Sequence, residues 1–450
     1  MMKYVLYLLL FCVCPLLAQA GFVMKRATYI EIPFKNVSGL ILIPVELNGK
    51  VLTFILDSGV SETLLFSLDN KDSLLKNAEK MWLTGLGGGI SAEAFRSVHN
   101  KLNLGEGKFV DSNHTIYMIM NEDFNFSAHL GVPVNGLLGY QFFKDHVVGI
   151  DYRNEKITIS TSIDYFRHYQ TRYQKAAMQV IDQKAYVELG LLLKSKWQKH
   201  LFLLDIGNSE SLLFFPNRIS DFQFSSKTLK DYIGKGFNGD ITGIRGRIPA
   251  ICLGLDTLLQ PIVSKVDSFS VRNLNLNRKS LGLMGYGVLS RFDIIVDYPQ
   301  KAFYFKRNKD FFEPFQFNMS GLTLKHDGLI WQDVYMKVDV TQTVYGIHDS
   351  LIGRRVYTTP AQFQYRTQLV PAYSIVDVRE GSPGAKADIR EGDLLIEING
   401  RPSYRYSLQQ LYNIFSYREG KKITVLIKRN GKQYRKKMIL KDPFPFERMD

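Results

Sequence analysis

Residues 54–66 read FILDSGVSETLLF, and residues 202–214 repeat this pattern as FLLDIGNSESLLF. A second landmark recurs at nearly the same separation, as GLLGY at 136–140 and GLMGY at 282–286. Matched landmarks at near-constant spacing are the signature of an internal repeat, and chance resemblance rarely preserves both pattern and distance. The chain is therefore predicted to contain two copies of one domain.

A third pair of landmarks sets the extent of the repeat. GIDY at 149–152 in the first copy corresponds to IVDY at 295–298 in the second. With the flanking apolar segments included, the copies are predicted at residues 28–160 and 176–308. Polar and aromatic residues without clear periodicity separate them and indicate a connector.

Each copy is predicted to be mainly β. Residues 40–47 and 50–56 are apolar runs separated by Asn48-Gly49, and this dipeptide between two such runs is a strong hairpin signal. The 35 glycines and the aromatic content of 13% also favour strands and turns over helical bundles.

Composition and the first residues bound the class of protein. With 450 residues, 45% hydrophobic and 22% charged, the chain is ordinary for a folded protein, and its net charge is +14. Lys3, the apolar run 4–17 and Ala18-Gln19-Ala20 predict a signal peptide at 1–20, hence a secreted or periplasmic protein; an uncleaved anchor is the minority alternative. Only Cys252 lies beyond this segment, so no internal disulfide is expected.

An aspartate at the end of an apolar strand suggests chemistry, because burying it is costly unless it is paired or hydrogen-bonded. Gly59 allows a sharp turn after Asp57, and the Ser58 hydroxyl can hydrogen-bond across to a facing loop. Two such turns facing each other would bring Asp57 and Asp205 together, where like charges would share one proton. Such a pair can polarise a carbonyl and activate water, so both residues are predicted to be catalytic.

These residues resemble the retropepsin-like and pepsin-like aspartic proteases, whose hallmark is Asp-Thr/Ser-Gly followed by an apolar-apolar-Gly segment. With the C-terminal domain described below, the chain is similar to bacterial aspartyl proteases that carry a PDZ domain. The resemblance implies a mainly β fold, with two retropepsin-like lobes forming a bilobal body. It also implies an aspartic-type endopeptidase that uses Asp57 and Asp205.

The second copy departs from the family pattern, because Ile206 replaces the serine or threonine after the aspartate. One bracing hydroxyl is missing, so the catalytic competence of Asp-Ile-Gly is open. Gly207 and Asn208 are predicted to support this loop, with the Asn208 side chain able to hydrogen-bond the Asp205 carboxylate in place of the absent hydroxyl. The alternative is that Asp205 is a relic that caps a turn.

Glycine-rich stretches follow both aspartates. In the family this region is a hairpin flap over the substrate, and glycines suit a mobile lid. The predicted flap residues are Gly87 and Gly88 in the first copy and Gly239 and Gly243 in the second. Plain loops are the competing interpretation.

The C-terminal part closely resembles a PDZ domain, predicted at 317–441. Its signature is VDVREGSPGAKADI at 376–389 followed by REGDLLIEING, a strand, a Gly-Ser-Pro turn, a short helix and a second strand. Gly321 and Leu322 would form the peptide-binding carboxylate loop. This placement leaves residues 325–371 as a long insertion.

Partners follow from these assignments. The expected partners are a peptide or unfolded protein substrate and a C-terminal peptide ligand at the PDZ domain. No nucleic-acid partner, integral membrane span, metal or cofactor is predicted, since neither His-Glu-x-x-His nor an aromatic and basic platform occurs. Two alternatives stay open: a catalytically inactive PDZ peptide-binding protein, and a dimer in which one active lobe pairs with the same lobe of another chain.

Overall fold

The computed structural model resolves into two compact units. The first unit takes its described residues from within the ranges Met1–Phe126, Pro133–Phe315 and Pro443–Asp450. The second takes them from within Ser127–Val132 and Gln316–Asp442. The predicted signal peptide at 1–20 lies outside the described residues. The structure describes residues 21–66, 74–75, 78–83, 92–119, 126–167, 171–216, 218–219, 222–225, 227–236, 239–271, 277–338 and 362–445.

The first copy of the repeat consists mainly of short strands. The predicted hairpin is confirmed, and its turn residues Asn48 and Gly49 have φ angles of 49° and 90°, the positive values that a tight two-residue turn requires. The elements are β1 Val23–Met24, β2 Tyr29–Pro33, β3 Lys35–Val37, β4 Leu40–Leu47, β5 Lys50–Leu56, β6 Thr63–Leu65, β7 Ala78–Leu83, β8 Ala92–Leu104, β9 Phe109–Ile119, α1 Phe126–Leu130, β10 Gly136–Leu138, α2 Tyr140–Phe143, β11 Val147–Asp151 and β12 Lys156–Ser160.

The second copy repeats this arrangement. In the first copy β10 pairs in parallel with β5 and antiparallel with β6, and in the second β22 pairs in the same way with β15 and β16. The elements are β13 Gln174–Ile181, β14 Lys184–Leu193, β15 Lys196–Leu204, β16 Leu212–Phe214, β17 Leu229–Gly236, β18 Gly239–Arg247, β19 Ala250–Leu253, β20 Asp256–Leu259, β21 Ile262–Val266, α3 Ser268–Val271, β22 Ser280–Met284, α4 Tyr286–Leu289, β23 Phe292–Asp297 and β24 Ala302–Arg307.

Both copies contribute to one shared sheet, which joins them into a single body. Six neighbouring strands of this 15-stranded sheet run β13-β24-β23-β11-β12-β2, and the two copies meet where β11 pairs antiparallel with β23, from Val147 opposite Asp297 to Ile150 opposite Ile294. Both central strands are almost wholly buried, which explains why their sequences are apolar rather than alternating. The prediction of a mainly β, bilobal body is confirmed.

The second unit is a β-sheet with two short helices over one core. The predicted insertion 325–371 continues the first two strands as a long antiparallel hairpin, and residues 339–361 within it lie outside the described residues. Ser407 begins the longer helix with a capping box that involves Gln410. The elements are β25 Leu322–Val338, β26 Gln362–Val378, α5 Pro383–Lys386, β27 Leu394–Ile398, β28 Arg401–Pro402, α6 Leu408–Ser416, β29 Lys422–Arg429 and β30 Lys432–Ile439.

Candidate active site

Asp57 and Asp205 lie at equivalent points of the two copies, directly after β5 and β15. The backbone N–H of Asp57 donates to the Leu138 carbonyl at 3.0 Å, and that of Asp205 donates to Met284 at 2.9 Å. Each aspartate is therefore fixed by the apolar strand beside it, β10 or β22. This explains why the Gly-apolar-apolar-Gly segments recur at a constant distance from the aspartates.

The glycines of those segments are required by close packing. A Cβ added at Gly136 would lie 2.3 Å from the Leu64 carbonyl oxygen, and one at Gly282 would lie 2.0 Å from that of Leu213. Any larger residue would force β10 or β22 away from its neighbouring strand. The motif is thus a structural requirement of the loops that carry the aspartates.

The two aspartates form a buried, hydrogen-bonded pair. Their side chains bond to each other, and the two residues are only 9% and 8% exposed. Asp57 Oδ1 also accepts the Gly59 N–H at 2.7 Å, and Asp205 Oδ1 accepts that of Gly207 at 3.1 Å. A Cβ at Gly207 would lie 2.2 Å from Asp57 Cγ, so glycine is needed for the two loops to approach.

The environment raises the pKa of both carboxylates. Burial raises the pKa of Asp205 well above its usual range, and the neighbouring Asp57 carboxylate raises it further. Burial also raises the pKa of Asp57, but the Gly59 N–H and the bond from Asp205 act in the opposite direction. Both shifts favour a single proton shared by the pair, with the pKa of Asp205 the more strongly raised of the two.

Ser58 joins the two loops with one hydroxyl. Its Oγ, fully buried, donates to the Leu204 carbonyl at 2.7 Å and accepts the N–H of Ile206 at 3.0 Å. Ile206 has no hydroxyl to return these bonds, so the bracing between the aspartate loops is one-sided. The Asn208 side-chain oxygen accepts the Glu210 N–H at 2.8 Å, so its described bond goes to the backbone rather than to the Asp205 carboxylate.

Three further side chains near the pair were not anticipated from the sequence. The charge of Lys184, at the start of β14, lowers the pKa of both aspartates. Burial is the main cause of the raised pKa values of Tyr152 and Tyr298; Asp205 contributes to the shift of Tyr152, and both aspartates contribute to that of Tyr298. The sequence could have indicated the two tyrosines, because a tyrosine follows Asp151 in the first copy and Asp297 in the second. No sequence pattern indicated Lys184.

The predicted flap residues have different outcomes. Gly87 and Gly88 lie outside the described residues. Gly239 begins β18 and pairs with Gly236 at the end of the β17–β18 hairpin, as a flap tip would. Gly243 lies in the middle of β18, where a Cβ would meet the Lys265 carbonyl at 2.3 Å, so its small size serves packing against β21.

The predicted peptide-binding loop of the second unit is internally hydrogen-bonded. The N–H of Gly321 donates to Asn318 Oδ1 at 3.2 Å, and the N–H of Leu322 donates to Ser320 Oγ at 3.1 Å. On β25, the hydroxyl of Tyr412 from α6 accepts the Leu324 N–H at 2.9 Å and donates to the Leu324 carbonyl at 3.0 Å. Tyr412 therefore occupies backbone groups with which an added peptide strand would pair.

Two features are absent from the described part of the chain. No cluster of three or more histidine, cysteine, aspartate or glutamate side chains there could hold a metal ion. No helix there has the length and apolar character needed to cross a membrane.

Comparisons with known families agree with this geometry. Residues 43–142, which contain Asp57 and the first Gly-apolar-apolar-Gly segment, match the aspartyl protease family, and residues 374–429 match the PDZ domain family. None of the curated proteins matches the chain significantly. The predicted architecture is confirmed: an aspartyl protease-like body is combined with a C-terminal PDZ domain.

Proposed function

We propose that the protein is an aspartic-type endopeptidase that hydrolyses peptide bonds through Asp57 and Asp205. The observation that carries this proposal is the buried, hydrogen-bonded carboxylate pair, supplied by equivalent loops of the two copies. A structural role alone gives no reason to bury two carboxylates against each other, since the repulsion and desolvation are costly.

The proton arrangement supports a division of labour. The ionised Asp57 is suited to take a proton from an attacking water molecule, and the protonated Asp205 is suited to polarise the scissile carbonyl through its hydrogen bond. Proton transfer to the leaving amine then completes cleavage without a covalent intermediate. Gly59 and Gly207 hold the carboxylates in this relation through their backbone N–H groups.

The PDZ domain is proposed to bind an extended peptide beside β25, either to present a substrate or to dock a partner. The apolar segment and small-residue site within residues 1–20 support a secreted or periplasmic location, where such an enzyme would meet unfolded proteins.

Replacement of the ionised carboxylate tests the activity. Asp57→Asn should lower cleavage of fluorescein-labelled casein at least a thousandfold across pH 3 to 7, about 4 kcal/mol of transition-state stabilisation. Asp164→Asn, an exposed aspartate in the same unit, is the matched control and should leave the rate unchanged. Undiminished, pepstatin-insensitive cleavage by Asp57→Asn would exclude the proposal.

A catalytically inactive peptide-binding protein is the second candidate, favoured by Ile206. Because Ile206 has no hydroxyl, the second loop cannot return the hydrogen bonds that Ser58 makes from the first loop to Leu204 and Ile206. This candidate predicts that fluorescent decapeptides bind the full chain, whereas wild type cleaves no casein at any pH from 3 to 7.

A further inference from the structure

A second charged network lies in the second copy and includes Glu210, in the loop that follows Asp205. Arg245 on β18 contacts two acids at once: its Nη1 lies 2.9 Å from Glu210 Oε1, and its Nε lies 3.1 Å from Asp231 Oδ2. The three side chains are 9%, 13% and 17% exposed, so the ion pairs are largely withdrawn from water. Withdrawn pairs of this kind are weakly screened and costly to break.

The partners of Arg245 belong to two different structural parts. Asp231 is on β17, the other strand of the predicted flap hairpin. Glu210 belongs to the loop that follows Asp205, and its carbonyl accepts the N–H of Gly287 at 3.1 Å. Ser264 donates to the second carboxylate oxygen of Glu210 at 2.6 Å, which fixes that side chain from β21. Arg245 therefore ties the flap hairpin to the loop of the catalytic candidate.

Among its described residues, the first copy has a glutamate and an arginine in the corresponding region without the tight network, although the strand register aligns Phe95, not Arg96, with Arg245. Glu62 corresponds to Glu210, and Arg96 on β8 pairs with Glu79 on β7. Here the Arg96–Glu79 separation is 3.9 Å and the side chains are 43% and 80% exposed. The tight network thus occurs in the copy whose aspartate is followed by Ile206, where the loop lacks its own hydroxyl brace.

The first copy secures its corresponding strand in another way. His114 lies between Thr63 Oγ1 and Asp111 Oδ2, at 2.7 Å from each, and all three side chains are buried. Thr63 is the first residue of β6, the strand that leads away from the Asp57 loop. Among the described residues, the two loops are therefore supported by different chemistry, and the support of the second loop includes the flap residue Arg245.

We propose that Arg245 is a positioning residue, which holds the Asp205 loop in its active geometry and couples that geometry to the position of the second flap. The guanidinium has the planar fork needed to serve Glu210 and Asp231 together, which a lysine cannot reproduce. Movement of the flap strands away from the loop would break the largely buried Arg245–Glu210 ion pair. The catalytic part of this inference rests on the proposed peptidase function, whereas the coupling between loop and flap does not.

The test compares Arg245→Gln and Glu210→Gln with Arg96→Gln, an arginine on β8 of the first copy, in the full chain. Cleavage of fluorescein-labelled casein is measured, and active sites are counted by titration with pepstatin. Per active site, kcat should fall on the order of 10- to 100-fold for the first two variants and less than about twofold for Arg96→Gln. The double variant should be no worse than either single variant, since both remove the same pair. A purely structural role would lower the number of active sites and leave kcat per site unchanged, which would overturn the proposal.

Hydrogen exchange provides a readout that needs no activity. Arg245→Gln should speed exchange in both residues 205–214 and residues 239–247, whereas Arg96→Gln should leave both segments unchanged. If the wild type cleaves nothing, the proposed function fails, but hydrogen exchange still tests the coupling between loop and flap. Unchanged exchange in residues 205–214 of Arg245→Gln overturns the coupling, and faster exchange there supports it. If Arg245→Gln does not fold, Glu210→Gln, which keeps the shape of the side chain, gives the same comparison.

Discussion

Ser58→Ala isolates the one hydroxyl that connects the two aspartate loops. In the wild type, Ser58 Oγ donates to the Leu204 carbonyl and accepts the Ile206 N–H, at 2.7 and 3.0 Å, and the side chain is fully buried. Alanine fills nearly the same volume but leaves both backbone groups without this partner. Because position 206 is isoleucine, no reciprocal hydroxyl compensates for the loss.

The magnitude follows from the two abandoned groups. Leaving one buried donor or acceptor unsatisfied costs about 1–3 kcal/mol, so Ser58→Ala, which abandons two, should lower the free energy of unfolding by about 2–6 kcal/mol. Catalysis should suffer in addition, because the separation of the two loops sets the geometry of the pair. We expect kcat to fall on the order of 100-fold, the effect of a displacement near 1 Å.

Urea denaturation followed by circular dichroism measures the stability, and hydrogen exchange at the Ile206 amide locates the change. Ser209→Ala is the control, since Ser209 is an exposed serine in the second loop and its loss should cost less than about 0.5 kcal/mol. Ser58→Thr should retain most of the wild-type stability because it keeps the hydroxyl. If Ser58→Ala matches Ser209→Ala in both stability and Ile206 exchange, the hydroxyl does not bridge the loops.

Two further predictions concern the proton on Asp205 and the hydroxyl of Tyr412. Folding raises the pKa of Asp205 above its unfolded value of 3.8. Above about pH 4 the unfolded chain therefore binds fewer protons at this residue than the folded chain. Stability consequently falls as pH rises towards the folded pKa. Asp205→Asn should remove this fall in stability, so calorimetry at pH 7 should show a Tm roughly 3 °C higher while cleavage is abolished. A Tm lower than that of the wild type would contradict this prediction. Tyr412→Phe frees the Leu324 N–H and carbonyl, so fluorescent decapeptides with free C-termini should bind about fivefold more tightly in polarisation assays. The control is Tyr417→Phe, which changes an exposed tyrosine five residues further along the chain. Equal affinities for the two variants would exclude this role of Tyr412.

The repeat, the hairpin and the domain types could be predicted from the sequence because each depends on local patterns. Asn48-Gly49 adopts positive φ angles whatever surrounds it, and the constant distance from Asp57 to Gly136 reflects a pairing that both copies need. The pairing of Asp57 with Asp205 was predictable for the same reason, since duplicated loops tend to meet across a two-fold relation.

The support of the site was not predictable in the same way. Asn208 was expected to bond the Asp205 carboxylate, but its described bond goes to the backbone of Glu210. Arg245 carries no sequence signal for a contact with Glu210, because arginines on strands are common and usually exposed. The sequence around Tyr412 indicates only a helix residue, and the hydrogen bond between its hydroxyl and the Leu324 N–H is visible only in the structure.

The sequence by itself determined that two copies of an Asp-x-Gly domain precede a PDZ domain, because strand periodicity, turn residues and motif spacing are properties of neighbouring residues. Only the tertiary structure decided which carboxylate has the more strongly raised pKa, that the Ser58 hydroxyl bonds across the two loops, and that Arg245 joins the second flap to Glu210 in the loop that follows Asp205. Burial and the approach of residues distant in the chain set those features, since pKa values and buried ion pairs depend on what lies within a few ångströms in space.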